Sequence, residues 1–169
     1  MRGHIILAAA LLAAPAHAND TADMLSDEQR AVAAGVDAFF DALRSDDKTA
    51  LANTLVPEGL IFIHNRMEAG NWKISQRTAV DHLRSWLDTP PGLDETMTYD
   101  TILVDGDMAQ VWGPYSFHAD DKVIHCGVNS MSMVRTGDGS WKVGNVSFTM
   151  VPPSQCAAVG ADWVAKDDN

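Results

Sequence analysis

The chain has 169 residues, with 12 Lys and Arg against 23 Asp and Glu, a net charge of −11, and 46% hydrophobic residues. That length and apolar content suit one domain with a sizeable core, and the acidic surface repels phosphate backbones, which argues against nucleic acid as a partner. The acids are scattered apart from the pairs 46–47, 120–121 and 167–168, so they read as a solvated face.

Residues 1–18 read as a secretory signal peptide. Arg2 supplies the positive start, Ile5 to Leu12 an uncharged apolar run, and Ala16-His17-Ala18 a small-residue cleavage site. The run is far shorter than the roughly 20 residues that span a bilayer, so no stable membrane insertion is expected after processing. The expected address is a bacterial periplasm or the exterior. A short linker, 19–25, leads into a domain over 26–151, followed by a tail over 152–169. Two cysteines, Cys126 and Cys156, invite a disulfide in an oxidising compartment.

Ser26-Asp27-Glu28-Gln29 is a capping box, and behind it Val32, Val36, Phe39, Phe40 and Leu43 recur at helical spacing. Asp46 or Asp47 caps a short second helix through Leu51 and Leu55, which stops before Pro57. Gly59 to His64 reads as a short strand. After a polar loop, Ser75 is the expected cap of a third helix carrying Val80, Leu83, Trp86 and Leu87, ended by Pro90-Pro91-Gly92. Thr96 to Val104 reads as a strand, and Asp105-Gly106 is a hairpin signal. Strands over 108–118, 122–135 and 141–150 follow. Helices first and a meander of long strands after them make an α+β pattern, with a strongly bent antiparallel sheet wrapped over the N-terminal helices. Gly113-Pro114 interrupts a long strand, where proline cannot donate to the ladder, and is expected to form a bulge. A sheet so bent encloses a cone with a natural pocket.

Turn positions give an expected register. A last hairpin centred on residue 138 sets Asn129 opposite Ser147, Met131 opposite Asn145 and Met133 opposite Val143. The odd-numbered face is then interior and carries His125, Asn129, Asn145 and Ser147. A three-residue turn over 119–121 sets Tyr115 opposite His125, and the expected bulge brings Trp112 onto the face of Tyr115. Cys126 falls near Met150, within reach of a tail that folds back after Pro152-Pro153.

Order and spacing of several pieces resemble the nuclear transport factor 2-like (SnoaL-like) superfamily, and within it the exported bacterial branch called lumazine-binding proteins. The pieces are Phe39-Phe40-Asp41-Ala42-Leu43, Pro57-Glu58-Gly59, Asp105-Gly106-Asp107-Met108-Ala109, Trp112-Gly113-Pro114-Tyr115-Ser116-Phe117, His125-Cys126-Gly127-Val128-Asn129 and Asp138-Gly139-Ser140-Trp141-Lys142-Val143. The resemblance implies a cone-shaped barrel, commonly a homodimer through the outer sheet face, and no particular activity. No lumazine ligand is carried over. The isomerases of the superfamily use a Tyr and carboxylic acids in the cone; neither Asp100 nor Asp105 matches such an acid.

Tyr115 and His125 are the candidate catalytic pair, because a phenol bonded to an imidazole can polarise a carbonyl and move a proton. A buried hydrogen bond that only fixes the sheet is the alternative. Asn129, Asn145 and Ser147 are candidate ligand contacts or a mutually bonded core group. His64 is a candidate rim residue or a surface turn, and Trp112 a candidate aromatic wall. His64, His118 and His125 lack zinc-motif spacing, so no metal is expected, and no cofactor motif is present. The expected function is binding of a small apolar or aromatic molecule. A cofactor-free isomerase, lyase or dehydratase is the first alternative, and a dimeric interaction module with a filled cone the second. A cavity above about 300 Å³ containing Tyr115 and His125 would favour the first two readings.

Overall fold

The computed structural model describes residues 25–120 and 122–161. The expected signal peptide, most of the expected linker and the end of the tail lie outside the described residues.

The capping box forms as its residue types require. Ser26 Oγ accepts from the Gln29 N–H, and the Gln29 side chain accepts from the Ser26 N–H, which starts α1 (Asp27–Arg44). Val32, Val36, Phe39, Phe40 and Leu43 are its buried stripe. Asp47 caps α2 (Lys48–Asn53). Strand β1 (Leu60–Asn65) then pairs with β2 (Lys73–Thr78), where a loop and a helix start were expected. Thr78, not Ser75, caps α3 (Ala79–Leu87) through the Asp81 N–H. Every residue of β2 is exposed, so no apolar alternation marks it in the sequence.

The region expected as one strand is two, β3 (Leu93–Met97) and β4 (Thr101–Asp105), both pairing with β5 (Met108–Ala119). Strands β6 (Lys122–Arg135) and β7 (Trp141–Met150) complete a seven-stranded sheet. All pairs are antiparallel except β1 with β7, which is parallel. The sheet is curved over the helices but does not close into a barrel. Its concave face and α1 enclose Val32, Val36, Phe40, Val111, Met131, Met133 and Val143.

Three register expectations are corrected. Pairing of β5 with β6 runs unbroken from Met108 to Phe117, so Gly113-Pro114 is not a bulge. It is where the other edge of β5 changes partner: the N–H groups of Thr98 and Asp100, on the β3–β4 link, bond the carbonyls of Pro114 and Trp112. The link passes so close that a Cβ on Gly113 would lie 1.8 Å from the Thr98 carbonyl oxygen. A strand residue's N and C=O point to the same neighbour, so the N–H that proline lacks would face this break. Second, the turn after β5 is tighter than expected. Tyr115 pairs with Gly127 and Phe117 with His125, and the irregularity falls between Phe117 and His118. Asp120 takes up the tight turn with φ 47°. Third, β7 bulges at Gly144. Arg135–Trp141 and Met133–Val143 pair as expected, then the register slips to Ser132–Asn145, Ser130–Ser147 and Asn129–Phe148. On its other edge β7 bonds the 54–56 segment at Val143 and β1 from Val146 onward, and the bulge joins these two alignments. It also turns Val146, Phe148 and Met150 inward in place of Asn145 and Ser147.

After β7, Pro152–Ala161 folds back across the convex face. The Cys126–Cys156 disulfide is formed, with Cα atoms 5.5 Å apart, and Val151, Val159 and Ala161 pack around it. Elsewhere that face exposes Leu103, Met108, Trp112 and Val134. No helix among the described residues is long and apolar enough to cross a membrane.

Candidate functional site

The concave face keeps a cavity of about 140 Å³. Phe39 and Leu43 of α1, His82 and Trp86 of α3, Glu95 of β3, Phe117 of β5, His125, Asn129 and Met131 of β6, Ile61 of β1, and Val146, Phe148 and Met150 of β7 line it. The cone is therefore not filled, although the space is smaller than the expected 300 Å³ class of drug-sized sites.

Glu95 is the acid that sequence reasoning missed. Leu93-x-Glu95-x-Met97 is an alternating pattern that puts the carboxyl on the apolar face, and Leu93 and Met97 do pack on the core. The signal is legible, but a strand read from Thr96 onward leaves it out. The Asn129 amide donates to Glu95 Oε1 at 2.8 Å. Burial pushes the Glu95 carboxyl up from 4.5 to about 7, and the Asp94 charge adds to the rise. The Asn129 hydrogen bond opposes it by favouring the carboxylate. Glu95 also borders a second, more open groove of about 380 Å³ with Asp37, Arg44 and Tyr99, so the carboxyl sits in the wall between cone and surface. In that groove Tyr99 donates to Asp37.

His125 stands in the same row of the sheet, beyond Phe117, since Glu95 pairs with Phe117 and Phe117 with His125. Strand spacing puts the backbones of Glu95 and His125 roughly 10 Å apart. Phe117 stacks on the imidazole with centroids 4.9 Å apart and planes at 7°. Burial holds His125 down to about 4, so the ring is neutral at pH 7. Its Nδ1 lies 3.1 Å from the Tyr115 hydroxyl. That hydroxyl donates to the Thr149 carbonyl at 2.8 Å. Tyr115 and His125 thus meet, though not as cross-strand partners. Tyr115 is 1% exposed and does not line the cavity, and burial, aided by Glu95, pushes its phenol up.

His82 was not anticipated either. The Trp86 indole N–H donates to its Nε2 at 2.8 Å, one helical turn on, and burial, with the Arg77 charge, holds the ring down to about 4. Its Nδ1 is buried without a hydrogen-bond partner among the described residues.

Of the other expected ligand contacts, only Asn129 lines the cavity. Asn145 lies on the convex side and its side-chain oxygen accepts from the Leu60 N–H. Ser147, turned outward by the Gly144 bulge, bonds His64 Nε2 at 3.0 Å. Trp112, half exposed, stands on the convex face because no bulge reverses β5 there. Among the described residues no group of three or more His, Cys, Asp or Glu is placed to hold a metal ion.

No protein-family model matches the chain, and no curated protein does. Solved structures do. A nuclear transport factor 2-like protein of unknown function from Silicibacter pomeroyi is 14% identical over 78% of this chain and 98% of its own, with a TM-score of 0.56. A ketosteroid isomerase-like protein from Erwinia carotovora is 15% identical over 76% and 100%, also at 0.56. A cystatin-like-fold protein of unknown function from Nostoc punctiforme is 13% identical over 76% and 96%, at 0.57. At such identity the likeness is one of fold: the chain folds as a nuclear transport factor 2-like domain. Nothing in it points to the branch named for lumazine.

Proposed function

We propose that the cone binds a small neutral molecule of about one ring, mostly apolar, with Glu95 and His125 as its polar contacts. The cavity carries this reading. Its 140 Å³ is close to the roughly 150 Å³ of an apolar cavity that accepts benzene, and its walls are mainly Phe, Trp, Met, Val, Leu and Ile. Titration of the protein with toluene and with naphthalene, followed by the methyl NMR signals of Met131, Met150 and Val146, tests it. Toluene is expected to shift all three and naphthalene none. Filling the space with Val146→Phe is expected to abolish the toluene response; no response in the wild type would end the proposal.

Glu95 favours a second reading on the same site, cofactor-free proton transfer of the isomerase or lyase kind. A carboxyl with pKa near 7 is half ionised at neutral pH, so it can take a proton from a bound molecule and return it. A neighbour in fold carries an isomerase-like description, which is consistent with this chemistry. His125 is the accessible partner, and Tyr115 acts through His125. With cyclohexanone bound in D₂O, the wild type is expected to exchange hydrogen at the carbon beside the carbonyl. Glu95→Gln is expected to stop that exchange while cyclohexanone still binds. Equal exchange in both would remove Glu95 from the chemistry.

Export belongs to the same proposal. The Cys126–Cys156 bond suits an oxidising compartment, in agreement with the reading of residues 1–18 as a signal peptide. Pairing of two copies through the convex face is supported by exposed Leu103, Met108 and Trp112, away from the strapped end.

A further inference from the structure

We infer that the cavity selects ligands bearing a hydrogen-bond donor such as a hydroxyl, and that Tyr115 sets this preference by fixing which nitrogen of His125 carries the proton. The inference rests on the cavity reading above and adds the chemical class of the ligand.

The Thr149 carbonyl can only accept, so its 2.8 Å contact with the Tyr115 hydroxyl uses the single phenolic hydrogen. The phenol oxygen can then meet His125 Nδ1 at 3.1 Å only as an acceptor. His125 Nδ1 therefore carries the hydrogen, and in the neutral ring Nε2 keeps its lone pair.

Three features hold the arrangement. The Thr149 carbonyl approaches Gly127 so closely that a Cβ there would sit 1.8 Å from its oxygen, so only glycine opposite Tyr115 permits the contact. The Thr149 hydroxyl takes the Val128 N–H at 2.9 Å, fixing the Thr149 residue in place. Phe117, stacked flat on the imidazole, resists a ring flip.

Nε2 accepts no hydrogen bond from the described residues, whose one buried side-chain nitrogen or oxygen without a partner is His82 Nδ1, so Nε2 reaches open space. A half-buried ring that lines the cavity thus presents an accessible acceptor to it. Glu95 Oε2 likewise takes no hydrogen bond from the described residues, since Asn129 engages Oε1. A hydroxyl satisfies Nε2, whereas a ketone, ether or hydrocarbon leaves it unpaired.

The test uses phenol and toluene, which have the same shape and number of heavy atoms, on protein labelled with ¹⁵N-histidine. The wild type is expected to carry the His125 proton on Nδ1 and to bind phenol about threefold to tenfold more tightly than toluene. That preference opposes simple partition, which favours the less polar toluene. In Tyr115→Phe the Nδ1 acceptor is gone, the proton is expected to move toward Nε2, and the phenol preference to fall within about twofold. A wild-type proton on Nε2 overturns the inference without any variant or ligand. Toluene bound as tightly as phenol overturns it while leaving the cavity reading standing. Binding of neither probe overturns both.

Discussion

Two polar clusters occupy opposite faces of the same strands. Glu95, Tyr115 and Phe117 point into the cone, and their immediate neighbours Thr96, Ser116 and His118 point out. By residue type the outer cluster looks the more reactive. Ser116 Oγ lies 2.8 Å from His118 Nε2, and Thr96 Oγ1 lies 3.0 Å from the same serine oxygen. Asp94 pairs with His118 across the strands, so a Ser–His–Asp order is present. Yet Asp94 is engaged by Arg44 at 2.7 Å, and Ser116 and His118 are each 4% exposed and line neither the cavity in the cone nor the groove beside Tyr99. The inner cluster spends Glu95 Oε1 on Asn129, His125 Nδ1 on Tyr115 and the Tyr115 hydroxyl on the Thr149 carbonyl, and leaves His125 Nε2 and Glu95 Oε2 without a hydrogen bond from the described residues. What separates a structural network from a site is the unspent atom beside empty space, and not the residue types.

Cutting the strap is the largest perturbation and bears on the outer cluster. Ser116 is the cross-strand partner of Cys126, and the disulfide closes a separation of 30 residues. Cys126→Ala with Cys156→Ala is expected to cost about 3–4 kcal/mol in denaturant unfolding, and to speed amide exchange at residues 116–118. Glu95 is expected to keep its titration near 7. A loss below about 1 kcal/mol would show that the tail holds its place without the bond.

Neutralising Glu95 comes next and has a defined pH dependence. Its folded pKa of about 7 lies above the unfolded 4.5, so between these values the folded state binds more protons, and stability falls as pH rises through the window. Above pH 7 the buried carboxylate costs about 3 kcal/mol relative to its exposed form. Glu95→Gln is therefore expected to gain up to that amount at pH 8 and almost nothing at pH 4.5. His82 and His125 act with the opposite sign: their folded pKa near 4 lies below the unfolded value, so they weaken the fold as pH falls below about 6.5. The difference between wild type and Glu95→Gln, measured by urea unfolding across pH 4–8, isolates the Glu95 share. A flat difference would mean that Glu95 titrates normally.

Asn129→Ala gives a smaller effect on the same group. It removes the donor that favours the carboxylate, so the Glu95 pKa is expected to climb above 7 by about one unit, read from its side-chain carbon signal. A fall would mean that water entering the space left by Asn129 outweighs the lost hydrogen bond.

The order of these effects could be read from the chain only in part. Helix α1, its Ser26–Gln29 box, the three long strands and the disulfide were legible, because each has a local signature that packing does not overrule. Strand β2 was not, since a two-stranded edge with every residue exposed carries no alternation. The site was half legible. His125 and Asn129 were placed on the inner face by alternation along β6, where no irregularity intervenes between them. Asn145 and Ser147 were misplaced by one inserted residue at Gly144, which reverses the rest of β7. Trp112 was misplaced by the converse error, a bulge expected at Gly113-Pro114 where the strand only changes partner. Glu95 was missed because a charged residue at a strand start looks like loop until its apolar neighbours Leu93 and Met97 are counted with it.

Ser116→Ala is the smallest effect and the sharpest test of the separation. It removes the middle of the Thr96–Ser116–His118 chain and is expected to cost about 1 kcal/mol, the ordinary worth of a hydrogen bond. The alternation of the strand puts the Ser116 side chain on the far side of β5 from Glu95 and His125. Losing its hydroxyl should leave the Glu95 titration and the toluene response in the cone unchanged. If Ser116→Ala shifts the Glu95 pKa instead, the two faces are coupled through the backbone of β5. The outer cluster would then be a support that tunes the inner one, and its Ser–His geometry would have a role in the site without any nucleophilic chemistry of its own.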